Sequence, residues 1–378
     1  MFWLGSRELK YPHIAHRKSA HTDEQTFPSP PVYVHPDNTW IQSLRSEWSS
    51  PPFCHLPRSK DGQKILDALF NYPNSIPPYE HLLEHGDLYR GQGPSMEHVV
   101  ADLIHSNENE IVIVDQSAGY GTGAHKEQVL VSMWRSTHAK ADDSDVKLYS
   151  IPDLPFHEKG SAKCRISLPK CFLDTAVVDA ENGKDTWSTT FCPPGSITDI
   201  HWDYHGASQV MLGISTRKLW LLWPPTQKNL EWWRKHNVRQ TTGSDTLEAI
   251  QKLEGLNVIY QKGRQAFLMP PYHLHAVLTF EVSAHCGTAI WDHNSWKTTA
   301  RQVTEWEYSW ARDYFQNGFT REDARQTFLY LNHSISRWDK LHKKLVKKNM
   351  VSKLDLKELS EWVKTFQKKL SQGLRLLQ

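Results

Sequence analysis

The chain has 378 residues, too many for one minimal core and suited to one large domain with embellishments or to two domains. Its 44 basic and 42 acidic side chains nearly cancel, and a net charge of +2 excludes any whole-protein electrostatic argument for nucleic-acid or membrane binding. The five cysteines, Cys54, Cys164, Cys171, Cys192 and Cys286, are scattered and form no C-x-x-C pair, which argues against a cysteine-built zinc site and favours a reducing compartment over a disulfide framework.

Met1-Phe2-Trp3-Leu4-Gly5 turns polar at once, and no window approaches the roughly eighteen apolar residues of a membrane span. A soluble intracellular protein without a membrane partner is therefore expected. Sixteen tryptophans supply large apolar area for a core or for grooves that hold a partner.

Residues 1–60 are rich in His, Ser and Pro, and Pro28, Pro30, Pro31, Pro36, Pro51 and Pro52 break any periodicity, so this stretch reads as a poorly ordered arm. Residues 61–185 are expected to form an α/β region packed on the core. Ile65, Leu66, Leu69 and Phe70 share one face of a helix from about Asp61 to Phe70, and a second helix follows the Pro94-Ser95 cap. Ile111-Val112-Ile113-Val114 reads as a buried strand. Gly119-Tyr120-Gly121-Thr122-Gly123 lacks both the spacing and the Gly-Lys-Ser/Thr ending of a phosphate loop, so nucleotide binding is not expected there. Lys147 to Phe156 alternates loosely, and His157 to Lys184 reads as surface structure.

From Thr186 to Trp291 the pattern changes to short strands punctuated by turns: Thr186 to Phe191, Ser208 to Leu212, Lys218 to Trp223, Asn257 to Tyr260, Gln265 to Met269, His275 to Phe280 and Thr288 to Trp291. A helical insert at about 226–253 interrupts them. Such spacing predicts a mainly β, jelly-roll or cupin-like core over 186–296 with flanking helices. A basic helical region follows over 297–378. There Val303, Trp306, Trp310 and Tyr314, then Phe328, Leu331, Ile335 and Trp338, form core stripes at helical spacing. Lys340, Lys343, Lys344, Lys347, Lys348, Lys353, Lys357, Lys364, Lys368 and Lys369 make either a solvated face or a surface for an acidic or chromatin partner.

Alternate side chains of a strand share a face, so His201 and Asp203 are expected to project together, with His275 supplied from a strand folded opposite. Two histidines and a carboxylate on one triangular face are the donor set of non-heme Fe(II) oxygenases. Lys218 begins the apolar run Lys-Leu-Trp-Leu-Leu-Trp-Pro-Pro, and a buried ammonium there needs an anion such as the distal carboxylate of 2-oxoglutarate. Thr198 can add a hydroxyl to that carboxylate. His205 and His273 read as structural neighbours of the proposed donors.

Gly195-Ser-Ile-Thr-Asp-Ile-His201-Trp-Asp203, Lys218-Leu-Trp-Leu-Leu-Trp-Pro-Pro-Thr226 with Asn229-Leu230, and His275-Ala-Val-Leu-Thr279 resemble the core of a JmjC domain, in the manner of the F-box and PHD-finger-associated group of JmjC lysine demethylases. The resemblance is strong over about 186–295. It implies a double-stranded β-helix with His201, Asp203 and His275 as iron ligands and Thr198 and Lys218 as 2-oxoglutarate anchors. The implied reaction consumes 2-oxoglutarate and O2 and hydroxylates a protein substrate, possible histone tails included. An N-methyl product then loses formaldehyde, whereas an ordinary C–H remains an alcohol. A nuclear rather than cytoplasmic location goes with it. Where that group has Gly-Gly-Thr-Ser-Val-Trp-Tyr, this chain has His205-Gly-Ala-Ser-Gln-Val-Met211, so Met211 stands in place of a phenol. This makes a side-chain hydroxylase the alternative to a lysine demethylase. A catalytically silent scaffold is the alternative of another class. No PHD finger, CXXC module or clear F-box pattern is recognisable in the chain.

Overall fold

The computed structural model describes residues 32–33, 39–74, isolated positions between 76 and 88, then 93–106, 109–116, 120–138, 147–155, parts of 166–185, 187–203, 205–236, 244–313 and 320–377. Up to Pro155 the chain contains β1 (Val32–Tyr33), α1 (Thr39–Trp48), α2 (Ser59–Phe70), β2 (Leu82–Leu83), α3 (Met96–His105), β3 (Glu110–Asp115), β4 (Tyr120–His125), α4 (Lys126–His138) and β5 (Tyr149–Pro155). The expectation of a poorly ordered arm over 1–60 needs correcting from Thr39 onward; residues 1–31 and 34–38 lie outside the described residues. Ile41, Leu44 and Trp48 recur at spacings of three and four, and this stripe packs into the main core beside Ile65, Leu66 and Leu69 of α2. Gly62 lets the two helices touch: a Cβ there would lie 2.2 Å from the Trp48 ring.

β6 (Ala176–Val178), β7 (Ala180–Glu181) and β8 (Lys184–Asp185) lead into the core strands β9 (Ser188–Cys192), β10 (Ile197–His201), β11 (Ser208–Ser215) and β12 (Arg217–Trp223). The expected insert is two helices, α5 (Gln227–His236) and α6 (Ser244–Lys252). β13 (Asn257–Lys262), β14 (Ala266–Met269), β15 (Leu274–Thr279) and β16 (Ser283–Asp292) complete the set. The last strand starts five residues before the expected Thr288, because Ser283 to Gly287 pair with β9. Most of the 157–184 segment lies outside the described residues, as does Tyr314.

One sheet runs β1-β13-β12-β15-β10 and the other β2-β14-β11-β16-β9-β5-β3-β4, with β6 on β16. Their pairings are antiparallel, an arrangement compatible with a jelly roll. Alternation sorts the side chains. On β12, Trp220 and Leu222 meet Met211, Phe267 and Met269 of the facing sheet in the interior. Leu219, Leu221 and Trp223 point outward against α1, α2, α5 and α6.

The C-terminal helices α7 (Arg301–Arg312), α8 (Arg321–Lys348) and α9 (Lys353–Leu376) cover one end of the sheets. Phe328, Leu331, Ile335 and Trp338 of α8 are all buried, together with Trp362 and Phe366 of α9, with Ala207 just before β11, and with Ala289 and Trp291 of β16. Thr320 and Asp323 form a reciprocal cap at the start of α8, and Asn349, at φ 49, closes its end in the left-handed region. Some tail lysines pair within the chain: Lys348 with Asp174, Lys343 with Asp339 at 2.5 Å.

Candidate metal centre

β10 and β15 are neighbours, with Thr198 opposite Val277 and His201 opposite His275. The step from 198 to 201 is three residues on β10 but two on β15, so the ladder carries a bulge. Without it, Thr198 and His201 would face opposite sides. With it, both face the interior, while Ile197 and Ile200 join the outer core.

β10 ends at His201, so the expectation that Asp203 shares a strand face with it is corrected: Asp203 lies beyond the strand, in the connection to β11. The three side chains nevertheless converge. Donor atoms of His201, Asp203 and His275 all lie within 4.8 Å of one another. Nε2 of His201 is 3.5 Å from one Asp203 oxygen, and Nε2 of His275 is 3.6 Å from the other. The His201 side chain is 37% and that of Asp203 27% exposed, against 2% for His275, so the cluster opens on one side.

Backbone contacts orient both rings. Nδ1 of His201 lies 2.8 Å from the Asp199 carbonyl, and Nδ1 of His275 lies 3.2 Å from the His273 carbonyl. An Nδ1–H donated to a carbonyl leaves the Nε2 lone pair free, the tautomer a metal needs. Burial, helped by the neighbouring His201, lowers the His275 pKa to about 4, so its ring is neutral at physiological pH. Burial alone would also lower His201, but its hydrogen bond to and charge interaction with Asp203 raise it above the ordinary value. Burial works to raise Asp203, yet His275 and His201 hold it well below the usual carboxylate range.

The cluster lines a cavity of about 550 Å³ between the sheets, shared with Thr198, Gln209, Met211 and Lys218. Lys218 is 1% exposed. Its ammonium lies 2.9 Å from Nδ1 of His285 and 3.3 Å from the Cys192 sulfur. Burial pushes the lysine pKa down, with Cys192 opposing it. Burial and the adjacent Lys218 charge push His285 far below its ordinary value, so this neutral ring accepts from the ammonium. His285 brings no negative charge, and a carboxylate reaching this depth would complete the pairing.

Residues that sequence reasoning missed also build the site. Arg58 donates to both oxygens of Asp199 and to the Ile197 carbonyl, each at 3.0 Å, bracing the bulged strand. Gln116 accepts from the Ile197 amide at 3.0 Å and donates to Ser150 at 3.0 Å, tying β5 to β10. Gln209 is 3% exposed, and its buried Nε2 has no hydrogen-bond partner among the described residues. Alternation along β11 could have placed Gln209 beside Met211 on the inner face; nothing local marks Arg58.

Two antiparallel sheets that gather two histidines and an aspartate near a buried lysine are compatible with a cupin-like jelly roll whose interior could hold a metal ion. No family model matches the chain. Over 166 residues it is 25% identical to JmjC domain-containing histone demethylation protein 1 of Candida albicans, an alignment that covers 39% of this chain and 34% of that protein. The chain thus spans about a third of the length of the curated relative it matches. It is a weak homologue, which supports a relation to JmjC proteins at large and singles out no subgroup. No helix among the described residues is long and apolar enough to cross a membrane.

Proposed function

We propose that the protein is an Fe(II)- and 2-oxoglutarate-dependent oxygenase of JmjC type that acts on protein side chains, with N-methyl-lysine, on a histone tail or elsewhere, as the first substrate class. The observation that carries this reading is the joint placement of three metal donors and the buried Lys218 in one cavity. Iron with 2-oxoglutarate and O2 supplies the oxidising power to insert oxygen into a C–H bond. His201, Asp203 and His275 would hold the ion on one face, the donor set suited to Fe(II) with positions left open. Lys218 and Thr198 would bind the distal carboxylate, and Trp220, Val277 and Met211 would keep water from it. On an N-methyl group the hydroxylated product releases formaldehyde. The histone demethylation in the relative's name favours this class and a nuclear location. The exposed lysines of α8 and α9 suit an acidic or chromatin partner.

A second reading, hydroxylation of an unmethylated side chain, is favoured by two residues. Met211 offers no phenol to the cavity, and the carboxamide of Gln209 suits an acceptor oxygen better than a quaternary ammonium. The deciding experiment incubates the purified chain with Fe(II) and carboxyl-labelled 2-oxoglutarate, comparing wild type with His201→Ala. Labelled CO2 from the wild type alone is expected; equal release from both sinks the enzyme reading and leaves the scaffold. Mass spectrometry of candidate peptides then separates loss of a methyl group from gain of an oxygen.

A further inference from the structure

The two segments that carry the proposed donors outside β10 end on one buried carboxylate. Glu307 of α7, 1% exposed, accepts from Nδ1–H of His205 and from the Tyr272 hydroxyl, the latter at 2.8 Å. Thr304, one turn earlier, shares that hydroxyl at 2.9 Å. His205 lies two residues after Asp203, and Tyr272 three before His275. Tyr272 sits at φ 60, a conformation costly for a bulky side chain and kept only where the surroundings enforce it. Gly206, at φ +76, is pressed against the same helices: a Cβ there would lie 2.9 Å from the Ser334 hydroxyl and 3.2 Å from that of Thr304. Since β10 ends at His201, no strand pairing fixes Asp203; the connection that carries it is held from the C-terminal helices.

We propose that Glu307 is a positioning residue for the metal centre: by tying His205 and Tyr272 to one carboxylate, it sets the placement of Asp203 relative to His275. The C-terminal helical region is thereby a brace for the site as well as a cover for the core. This rests on the metal-centre reading above. Groups bonded directly to metal ligands typically govern affinity by about 10- to 100-fold, and Glu307, which acts through the neighbours of two ligands, is expected at the lower end of that range.

The test is Mn(II) binding to the full chain, measured by calorimetry, with melting temperature followed in parallel. Glu307→Gln should weaken Mn(II) about tenfold or more, and Tyr272→Phe less. The double variant should lose less affinity than the two single losses combined, since both changes break the Tyr272–Glu307 contact. Phe328→Leu loosens the same helical core without touching the tie, and should lower the melting temperature while leaving Mn(II) affinity in place. Wild-type affinity in Glu307→Gln, or equal weakening by Phe328→Leu, overturns the positioning role. Should Glu307→Gln fail to fold, Tyr272→Phe decides by the same comparison with Phe328→Leu. A wild type that takes up no Mn(II) defeats the metal-centre reading itself, a result distinct from these.

Discussion

Replacing Lys218 with Met separates a co-substrate anchor from a structural lysine, because the two roles predict opposite signs. An ammonium that is 1% exposed and meets the Cys192 sulfur, the neutral His285 ring and the Trp220 indole costs several kcal/mol in desolvation, partly offset by those contacts. Exchanging a buried ionic group for an apolar one of similar volume stabilises by about 1–4 kcal/mol, and orphaning Nδ1 of His285 takes back about 1 kcal/mol. The free variant should therefore melt no lower than wild type and up to about 5 °C higher. Its 2-oxoglutarate binding should collapse, since losing a charge-assisted contact of about 1.5–3 kcal/mol weakens affinity by about 10- to 150-fold. With ligand at about a hundred times the wild-type Kd, stabilisation of about 2.7 kcal/mol should shrink to about 0.4 kcal/mol for a hundredfold loss. Differential scanning fluorimetry with Mn(II), with and without 2-oxoglutarate, reads both effects. The pH dependence adds a third. With its folded pKa below the ordinary 10.5, Lys218 binds fewer protons folded than unfolded, so its contribution improves as pH rises toward 10.5 and is lost as pH falls through the folded value. The variant should lack that slope. A variant that melts lower yet keeps the 2-oxoglutarate shift would refute the anchor.

Arg58→Met removes two contacts to Asp199 and one to the Ile197 carbonyl, and should cost about 3 kcal/mol by stranding a partly buried carboxylate, read as a lower urea midpoint at unchanged slope. An unchanged midpoint would mean that β10 holds its bulge without the clamp. Gly206→Ala meets both a left-handed backbone and the Ser334 hydroxyl, and about 1–3 kcal/mol of destabilisation is expected in the same assay. A variant as stable as wild type would show that the loop has room to shift.

Much of the architecture is legible in local pattern. Short apolar runs bounded by Pro and Gly mark β11, β12, β13, β14 and β15 within a few residues, and the spacing of Phe328, Leu331, Ile335 and Trp338 marks the buried face of α8. Helix α1 is hidden by its proline-rich flanks: Ile41, Leu44 and Trp48 carry the right period, but composition over 1–60 outweighs three residues. The cluster of His201, Asp203 and His275 is reachable from residue types, while its geometry is not. Glu305 and Glu307 illustrate why. They stand two apart on one charged helix, yet Glu307 is buried against His205 and Tyr272 whereas Glu305 receives the Trp362 indole at a partly exposed position. Only the helix's rotation against the sheets, a long-range property, tells them apart.

The same limit explains the bulge. A period-two reading makes Thr198 and His201 incompatible, since three residues apart on a regular strand they face opposite sides. The chemistry proposed for them demands one face, and the conflict can be resolved only by a ladder that slips by one residue. That slip costs a paired position and has to be held from outside the strand. Arg58, bound to both oxygens of Asp199 and to the carbonyl of Ile197, grips the outer side of this segment, while the Asp199 carbonyl meets the His201 ring. The irregular segment is thus where N-terminal residues come to bear on the donor cluster. Local irregularity at a proposed site and remote residues without a visible motif are two sides of one requirement.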